Sequence, residues 1–352
     1  MTLQGFDARI DRLPNSVWKK IAQIDELKGQ WVGGVHLSPQ VLGRLKQSVL
    51  VTSTGASTRI EGARLSDEDV EKFMRGISVQ KFTDRDKQEV QGYFELLQSV
   101  FQAGKHIRFS ENTIKHFHKE LLKFVDKDKL HRGEYKKTEN KVHMIDAEGK
   151  SISVVFDTTP AYLTSKEMQE LVEWTQESLD KKTLHPLLVI ANFVVEFLMI
   201  HPFQDGNGRL SRVLTNLLLL QQGYFYTPYV SHEKLIEDNK PDYYIALRKS
   251  QKTLKTKKED IGPWLDFFLS IILEQAKRAV ALLSKEAVEK LFSPNQIRVL
   301  EYFQNADEVA PGELVSKLKI PRPTVNQVLV RLIKFKKIER IGLGRSTRYR
   351  KI

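Results

Sequence analysis

The chain has 352 residues, 41% of them hydrophobic, and a formal net charge of +12, a length sufficient for two or three domains around a sizeable core. It has no cysteine, which excludes disulfides and thiolate zinc sites and fits a reducing compartment. Met1 to Ile21 carries charges throughout and lacks an apolar signal core. The most apolar run, Pro186 to Ile200, contains Asn192 and Glu196 and is too short to span a bilayer, so a soluble, cytoplasmic protein is expected.

Helical patterns dominate. Residues 1 to about 36 hold Pro14, Trp18 and Trp31 and end at a Gly33-Gly34 break. Ser38-Pro39 reads as the cap and first turn of a helix, with Val41, Leu42, Leu45, Val49 and Leu50 at apolar spacing. Ser53-Thr54-Gly55 either breaks that helix or forms a small-residue surface packed closely against another element. In Ser57-Thr58-Arg59-Ile60-Glu61-Gly62, Ser57 and Glu61 share a helical face and Gly62 ends the helix. Ser66 and Asp69 mark a further helix start. Asp84 to Phe101 is amphipathic through Val90, Tyr93, Phe94, Leu97 and Phe101, and Ser110 caps a helix running to Leu122. His116 and His118 lie two apart, on different helical faces, and read as surface or packing histidines rather than metal ligands.

Between Lys137 and Thr159 the pattern changes. Lys141 to Ile145 and Ile152 to Phe156 are short β-branched or apolar runs around an Ala147-Glu148-Gly149-Lys150 turn, which predicts a β-hairpin. Helices follow from Ser165 to Leu179, Pro186 to Ile200, Leu210 to Gln222 (stopped by Gly223), from Pro241, and from Gly262 to Leu282. The end of the chain has its own character: residues 320 to 352 hold ten Lys/Arg and one acid, Glu339, a net +9. Short helices over Ser293 to Phe303, Pro311 to Leu318 and Pro321 to Phe335 precede two strands between Ile338 and Tyr349, turning at Gly342-Leu343-Gly344. Three helices and a basic hairpin predict a winged helix-turn-helix, whose charge suits nucleic acid. Pro321 to Phe335 would enter a major groove while Arg345, Arg348 and Arg350 meet phosphates; a protein partner or a homodimer is the alternative.

The chemistry concentrates in His201-Pro202-Phe203-Gln204-Asp205-Gly206-Asn207-Gly208-Arg209-Leu210-Ser211-Arg212, a sharp loop between two apolar helices. Gly206 and Gly208 let a ligand approach the backbone, and the N–H groups there open a helix, a ready anion site. Arg209 and Arg212 are three apart on one side of that helix and suit a polyphosphate. Asp205 beside a phosphate calls for a bridging cation, naturally Mg²⁺. Asn207 can donate to a phosphate oxygen. His201 has the pKa of a general base at neutral pH. The combination points to nucleotide binding and attack on a phosphoryl group.

This stretch resembles the Fic family motif His-Pro-Phe-x-Asp/Glu-Gly-Asn-Gly-Arg-x-x-Arg at every fixed position. The resemblance extends to Arg132-Gly133-Glu134-Tyr135, the hairpin, Pro160 and Tyr243-Tyr244, roughly residues 110 to 280. It implies an all-helical Fic fold with a β-hairpin flap, mainly α overall, and transfer of AMP from ATP to a Ser, Thr or Tyr hydroxyl of a protein. By the same resemblance His201 is the base, Asp205 the Mg²⁺ ligand, and Gly206, Asn207 and Gly208 the anion hole. Arg209 and Arg212 would hold the outer phosphates, Tyr243 and Tyr244 the nucleoside side, and the 141–156 flap would clamp a target strand, self-modification included. Ser57 and Glu61 match the family's inhibitory pattern Ser/Thr-x-x-x-Glu-Gly/Asn, with Glu61 pairing to Arg212. The expected organisation is an N-terminal helical region, 1–109, with its inhibitory helix near 38–62; a catalytic domain, 110–285; and the winged helix, 286–352. A DNA-binding regulator that uses the Fic fold as a nucleotide sensor is the alternative function, and phosphate or phosphocholine are alternative transferred groups.

Overall fold

The computed structural model describes residues 3–10, 13–34, 37, 39–76, 84–145, 151–283, 293–303, 306, 308–334, 337–342 and 347–351. The described residues are mainly helical and fall into two compact units, 1–32 with 46–279, and 33–45 with 280–352.

The first unit is built around α8 (Pro186–Ile200) and α9 (Asn207–Gln221). Pro186 sits in the first turn of α8, where its missing N–H costs nothing, and Leu187 through Leu198 are all buried. A helix apolar on every side is stable only when neighbours surround it. Here α7 (Ala161–Lys181) and α9 flank it, and Trp264 of α12 (Gly262–Ala281) donates its indole N–H to Ala191 O at 2.7 Å. α9 buries Leu210, Val213, Leu214, Leu217 and Leu218 and stops before Gly223, whose φ of +84° few other residues would adopt. Each such Leu contributes roughly 1.5–3 kcal/mol by leaving water, so the segment between the two helices hangs from two deeply buried supports.

Around this pair lie α1 (Leu3–Ala8), α2 (Asn15–Gly34), α3 (Pro39–Ile60), α4 (Asp67–Met74), α5 (Asp84–Ala103), α6 (Glu111–Leu121), α10 (His232–Asp238) and α11 (Lys240–Gln251). Ser66 and Asp69 form the expected capping box on α4, and Ser110 caps α6. α3 runs unbroken through Ser53-Thr54-Gly55, so of the two sequence readings close packing holds. Ser53, Thr54, Ala56, Ser57 and Thr58 are all buried, and Thr54 and Thr58 return their hydroxyls to carbonyls one turn back, at 2.7 and 2.9 Å. Gly62, at φ +103°, follows the helix end.

β1 (Lys141–Ile145) and β2 (Ser151–Asp157) pair antiparallel from Lys141↔Asp157 to Ile145↔Ser151, with irregularities at Val142/His143 and Met144/Ile145. The turn expected at 147–150 lies outside the described residues.

The second unit contains α13 (Pro294–Tyr302), β3 (Glu308–Val309), α14 (Pro311–Leu318), α15 (Arg322–Lys334), β4 (Ile338–Ile341) and β5 (Arg348–Lys351). The sheet order β3-β5-β4 adds a strand that the sequence reading lacks: two residues are too few to show alternation. α15 buries Val325, Val328, Leu329 and Leu332, the expected apolar side. Phe335, Leu343, Gly344, Arg345 and the 285/286 boundary lie outside the described residues. No helix among them is long and apolar enough to cross a membrane.

Candidate active site

α8 ends at His201, which takes the left-handed conformation (φ +52°) and donates its N–H to Phe197 O at 2.9 Å. For a residue with a Cβ that conformation costs about 1–2 kcal/mol, and it turns the chain sharply off the helix. The loop that follows is stapled carbonyl by carbonyl. Ile200 O accepts from Lys136 Nζ (3.0 Å), His201 O from Asn140 Nδ2 (3.3 Å), and Pro202 O from Lys136 N (2.8 Å). Phe203 O accepts from Asn140 Nδ2 (2.9 Å) and Asn207 Nδ2 (2.7 Å), and Asp205 O from His118 Nε2 (3.0 Å). Gly206, φ +80°, then opens α9.

His201 is half-buried, and its Nδ1 lies 3.3 Å from Leu198 O. A carbonyl partner requires the proton on Nδ1, which leaves the Nε2 lone pair free. Burial pushes the pKa of His201 down to about 4, against the Leu198 hydrogen bond, which favours the charged form. The imidazole is therefore neutral at pH 7, the state a base needs.

Asp205 accepts the Gly206 N–H (2.6 Å) and Arg209 Nη2 (3.2 Å) on Oδ1, while Oδ2 stands 3.6 Å from Arg85. Burial alone would raise its pKa, but the Arg209 guanidinium, the Gly206 N–H and Arg85 together hold it below the usual carboxylate range. Arg209 is itself buried and also meets Glu89 Oε2 at 3.0 Å. Arg209 and Arg212, though on neighbouring turns, thus face different carboxylates. Asn207 departs from its expected role: its side-chain amide accepts Phe203 N–H at 2.9 Å and donates to Phe203 O, so it shapes the loop and offers a ligand only its backbone N–H.

Glu61 and Arg212 meet as expected, Arg212 Nη2 donating to Glu61 Oε1 at 2.7 Å. Arg212 also binds Ser57 twice, Nε to Oγ at 2.8 Å and Nη2 to the carbonyl at 3.0 Å. Burial would lower the Arg212 pKa; Glu61, together with Tyr243 and Tyr93, more than offsets this and raises it. The Glu61 carboxylate lies against the opening turn of α9. A Cβ on Gly208 would fall 2.4 Å from Glu61 Oε1 and 3.4 Å from Arg212 Nη1, so a glycine is needed for this approach. Arg212 Nη1 is buried without a hydrogen-bond partner among the described residues. Tyr243 is buried beside Arg212, and burial pushes its pKa up to about 12. Tyr244 is 40% exposed, with its hydroxyl 3.4 Å from Ile60 O.

Several supports were not legible as site residues. His118 stacks on Phe203 (3.8 Å between centroids, 8° between planes) and accepts Gly133 N–H on Nδ1 at 2.9 Å, which fixes the proton on Nε2, facing Asp205 O. It is a packing histidine, as expected, but what it packs is the motif loop. Lys136 is buried, which pushes its pKa down to about 8. Glu233, fully buried on α10, lies within hydrogen-bond reach of Ser53 (2.8 Å), Tyr93 (3.0 Å), Asn216 (2.7 Å) and Ser231 (3.0 Å), tying α3 and α5 to α9. One turn on, Glu237 takes Arg59 of α3 in a two-pronged pair at 2.5 and 3.0 Å. Less than two turns of α3 separate these anchors, and they fix the helix end from which Glu61 projects.

Residues 108–219 match the Fic/DOC family model. A probable protein adenylyltransferase of Aquifex aeolicus is 24% identical over 189 residues, 53% of this chain and 55% of that protein. The protein adenylyltransferase Fic of Drosophila melanogaster is 46% identical over 57 residues, 16% of this chain and 11% of that one. The chain thus spans about half the length of the first relative and about a tenth of the second. Among solved structures, a Fic family protein from Desulfovibrio desulfuricans G20 aligns over 97% of both chains with TM-score 0.64 and 24% identity. Fic-1 of C. elegans aligns over 77% of this chain and 74% of its own with TM-score 0.60 and 18% identity. The domain match and the motif loop it contains make residues 108–219 a Fic/DOC domain, set in a helical fold shared with solved Fic proteins.

Proposed function

We propose that the chain is a protein adenylyltransferase that transfers AMP from ATP to Ser, Thr or Tyr hydroxyls of proteins and is held inactive by Glu61. The observation that carries this reading is the Glu61–Arg212 pair over Gly208, beside a neutral histidine with a free Nε2. A carboxylate seated on a helix N-terminus and an arginine marks the place where phosphate oxygens belong. The names of the relatives, protein adenylyltransferases, point the same way.

In this reaction the target hydroxyl oxygen attacks the α-phosphorus, and its proton passes to His201 Nε2. The bond to the bridging oxygen breaks, and pyrophosphate leaves. The backbone N–H groups of Asn207 and Gly208 face the phosphates, and Arg212 neutralises the outer ones once Glu61 withdraws. Arg209 acts through Asp205, keeping it ionised. Mg²⁺ usually takes one or two carboxylates and completes its shell with phosphate oxygens and water. Asp205 is ionised, and its Oδ2 meets only the half-exposed Arg85, at 3.6 Å, which can give way, so Asp205 would hold the ion, which neutralises phosphate charge when bound. Tyr244 and Tyr243 flank the nucleoside side. The β1–β2 hairpin receives the target, the chain itself included, as an added strand. Incubating the Glu61→Gly variant with α-³²P-ATP and Mg²⁺ tests the reading: label enters protein in the variant and not in its His201→Ala derivative.

A second, compatible role belongs to residues 286–352, which we assign as a winged helix-turn-helix that binds duplex DNA. The exposed side of α15 carries Arg322, Asn326, Gln327 and Arg331 and no acid, donors suited to base edges, and Arg348 and Lys351 are exposed on β5. The full chain should bind duplex DNA with an affinity that falls steeply with salt; binding to an acidic protein but not to DNA would replace this assignment.

A further inference from the structure

The hairpin stands on two feet, Asn140 just before β1 and Thr158 just after β2, which flank the terminal pair Lys141↔Asp157. These feet are joined to one another and to the catalytic loop. The Lys136 ammonium has three protons and three acceptors: Asn140 Oδ1 at 2.8 Å, Thr158 Oγ1 at 2.8 Å and Ile200 O at 3.0 Å. The Thr158 hydroxyl has the Asn140 carbonyl (2.9 Å) and Oδ1 (2.6 Å) within reach. Asn140 Nδ2 then crosses to His201 O and Phe203 O. Lys136 and Thr158 are buried, where a hydrogen bond is expensive to lose.

We propose that Lys136, Asn140 and Thr158 are positioning residues, a clamp that locks the hairpin in register with His201. A target segment paired to the hairpin then presents one particular hydroxyl to the base. The side chains that hold the hairpin's base also hold the backbone of the base's own residue, so a shift of one moves the other. This inference rests on the adenylyltransferase reading above for its catalytic consequence, but not for the coupling itself. Neither Asn140 nor Lys136 touches substrate; they act through the position of His201.

The decisive variant is Asn140→Asp in the Glu61→Gly background. The carboxylate still accepts from Lys136 and Thr158, so the feet stay joined, but it cannot donate to His201 O or Phe203 O. Self-modification should slow on the order of 10- to 100-fold, the cost of misplacing reacting groups by about an ångström. ATP affinity by calorimetry should be unchanged, and mass spectrometry should find AMP on a wider set of hydroxyls. Hydrogen exchange should accelerate together at the β1–β2 amides and at 203–206. Thr158→Val, which keeps shape and removes the hydroxyl, should widen the acceptor set in the same way. An unchanged rate and acceptor pattern, or a rate that falls only in step with ATP affinity, would overturn the clamp. So would exchange that rises in the loop alone. If the Glu61→Gly parent transfers no AMP, the adenylyltransferase reading fails, while hydrogen exchange still decides the coupling.

Discussion

Replacing Glu61 by Gly should switch the enzyme on. Two terms set the size of the effect. The variant loses a charge-assisted hydrogen bond that competes with phosphate for Arg212, worth roughly 1.5–3 kcal/mol. It also loses the repulsion between a carboxylate and a phosphate oxygen, about 4 kcal/mol for unit charges 4 Å apart at an effective dielectric constant of 20. The Glu61 side chain is 35% exposed, so solvent screening cuts the second term well below that figure. About 3–4 kcal/mol together corresponds to a rise in transfer rate of roughly 10²- to 10³-fold. Arg212 keeps both bonds to Ser57, so the phosphate partner stays in place. Glu61→Gln, which keeps a hydrogen-bonding amide and loses the charge, should rise by less. The assay is incorporation of α-³²P label at saturating ATP. Equal incorporation by parent and variant, with ATP bound by both, would show that Glu61 does not restrain transfer.

His201→Ala should retain ATP binding and lose about 10²–10⁴-fold in transfer, the usual contribution of a general base. Because His201 titrates near 4 when folded and near 6.5 when unfolded, activity of the Glu61→Gly variant should not fall as pH drops from 8 to about 5; a decline centred at 6.5 would contradict the assignment. His118 is shifted the same way. The unfolded chain therefore takes up these protons first, and stability should be full above pH 6.5 and fall between 6.5 and 4, as followed by thermal melts. Glu233→Ala removes the shared acceptor of the Ser53 and Tyr93 hydroxyls and the Asn216 amide, of which Ser53 keeps Ser231 and Asn216 keeps Arg212 O, a loss of roughly 1–3 kcal/mol in denaturant unfolding, and by freeing α3 it should raise basal self-modification; a melt within a degree of the parent would show that the node does not hold α3. Gly208→Ala puts a methyl group against Glu61 Oε1, so the carboxylate must withdraw and Glu61–Arg212 inhibition should weaken even where phosphate binding also suffers; separate ATP-affinity and transfer measurements distinguish the two.

The parts of the fold that declare themselves in sequence are those with a local cause. Pro186, the unbroken apolar run and the 201–212 motif fix α8, the loop and α9 because helix start, burial and turn are each written within a few residues. The spacing of Ser57 and Glu61 places them on one helical face, but it was the resemblance to the family's inhibitory pattern that singled them out. The supports were not legible. Lys136 and Asn140 lie far before His201 in the chain, Asn140 by 61 residues, and carry no periodic or compositional signal, since what matters about them is which distant carbonyls they reach. Glu233 looks like an ordinary surface acid until donors from several segments converge on it. Asn207 shows the converse limit. Its chemistry as a donor was readable, but its commitment to Phe203 follows from the turn geometry that Gly206 permits.

The central proposal is that the site moves AMP from ATP by way of His201 and is restrained by Glu61. Intact-mass spectrometry of the parent chain, the Glu61→Gly variant and the Glu61→Gly/His201→Ala double variant, each incubated with ATP and Mg²⁺, tests it most directly. One or more AMP increments are expected in the single variant and almost none in the other two. Phosphate increments in place of AMP, AMP on the double variant at the level of the single, or full modification of the parent would contradict it.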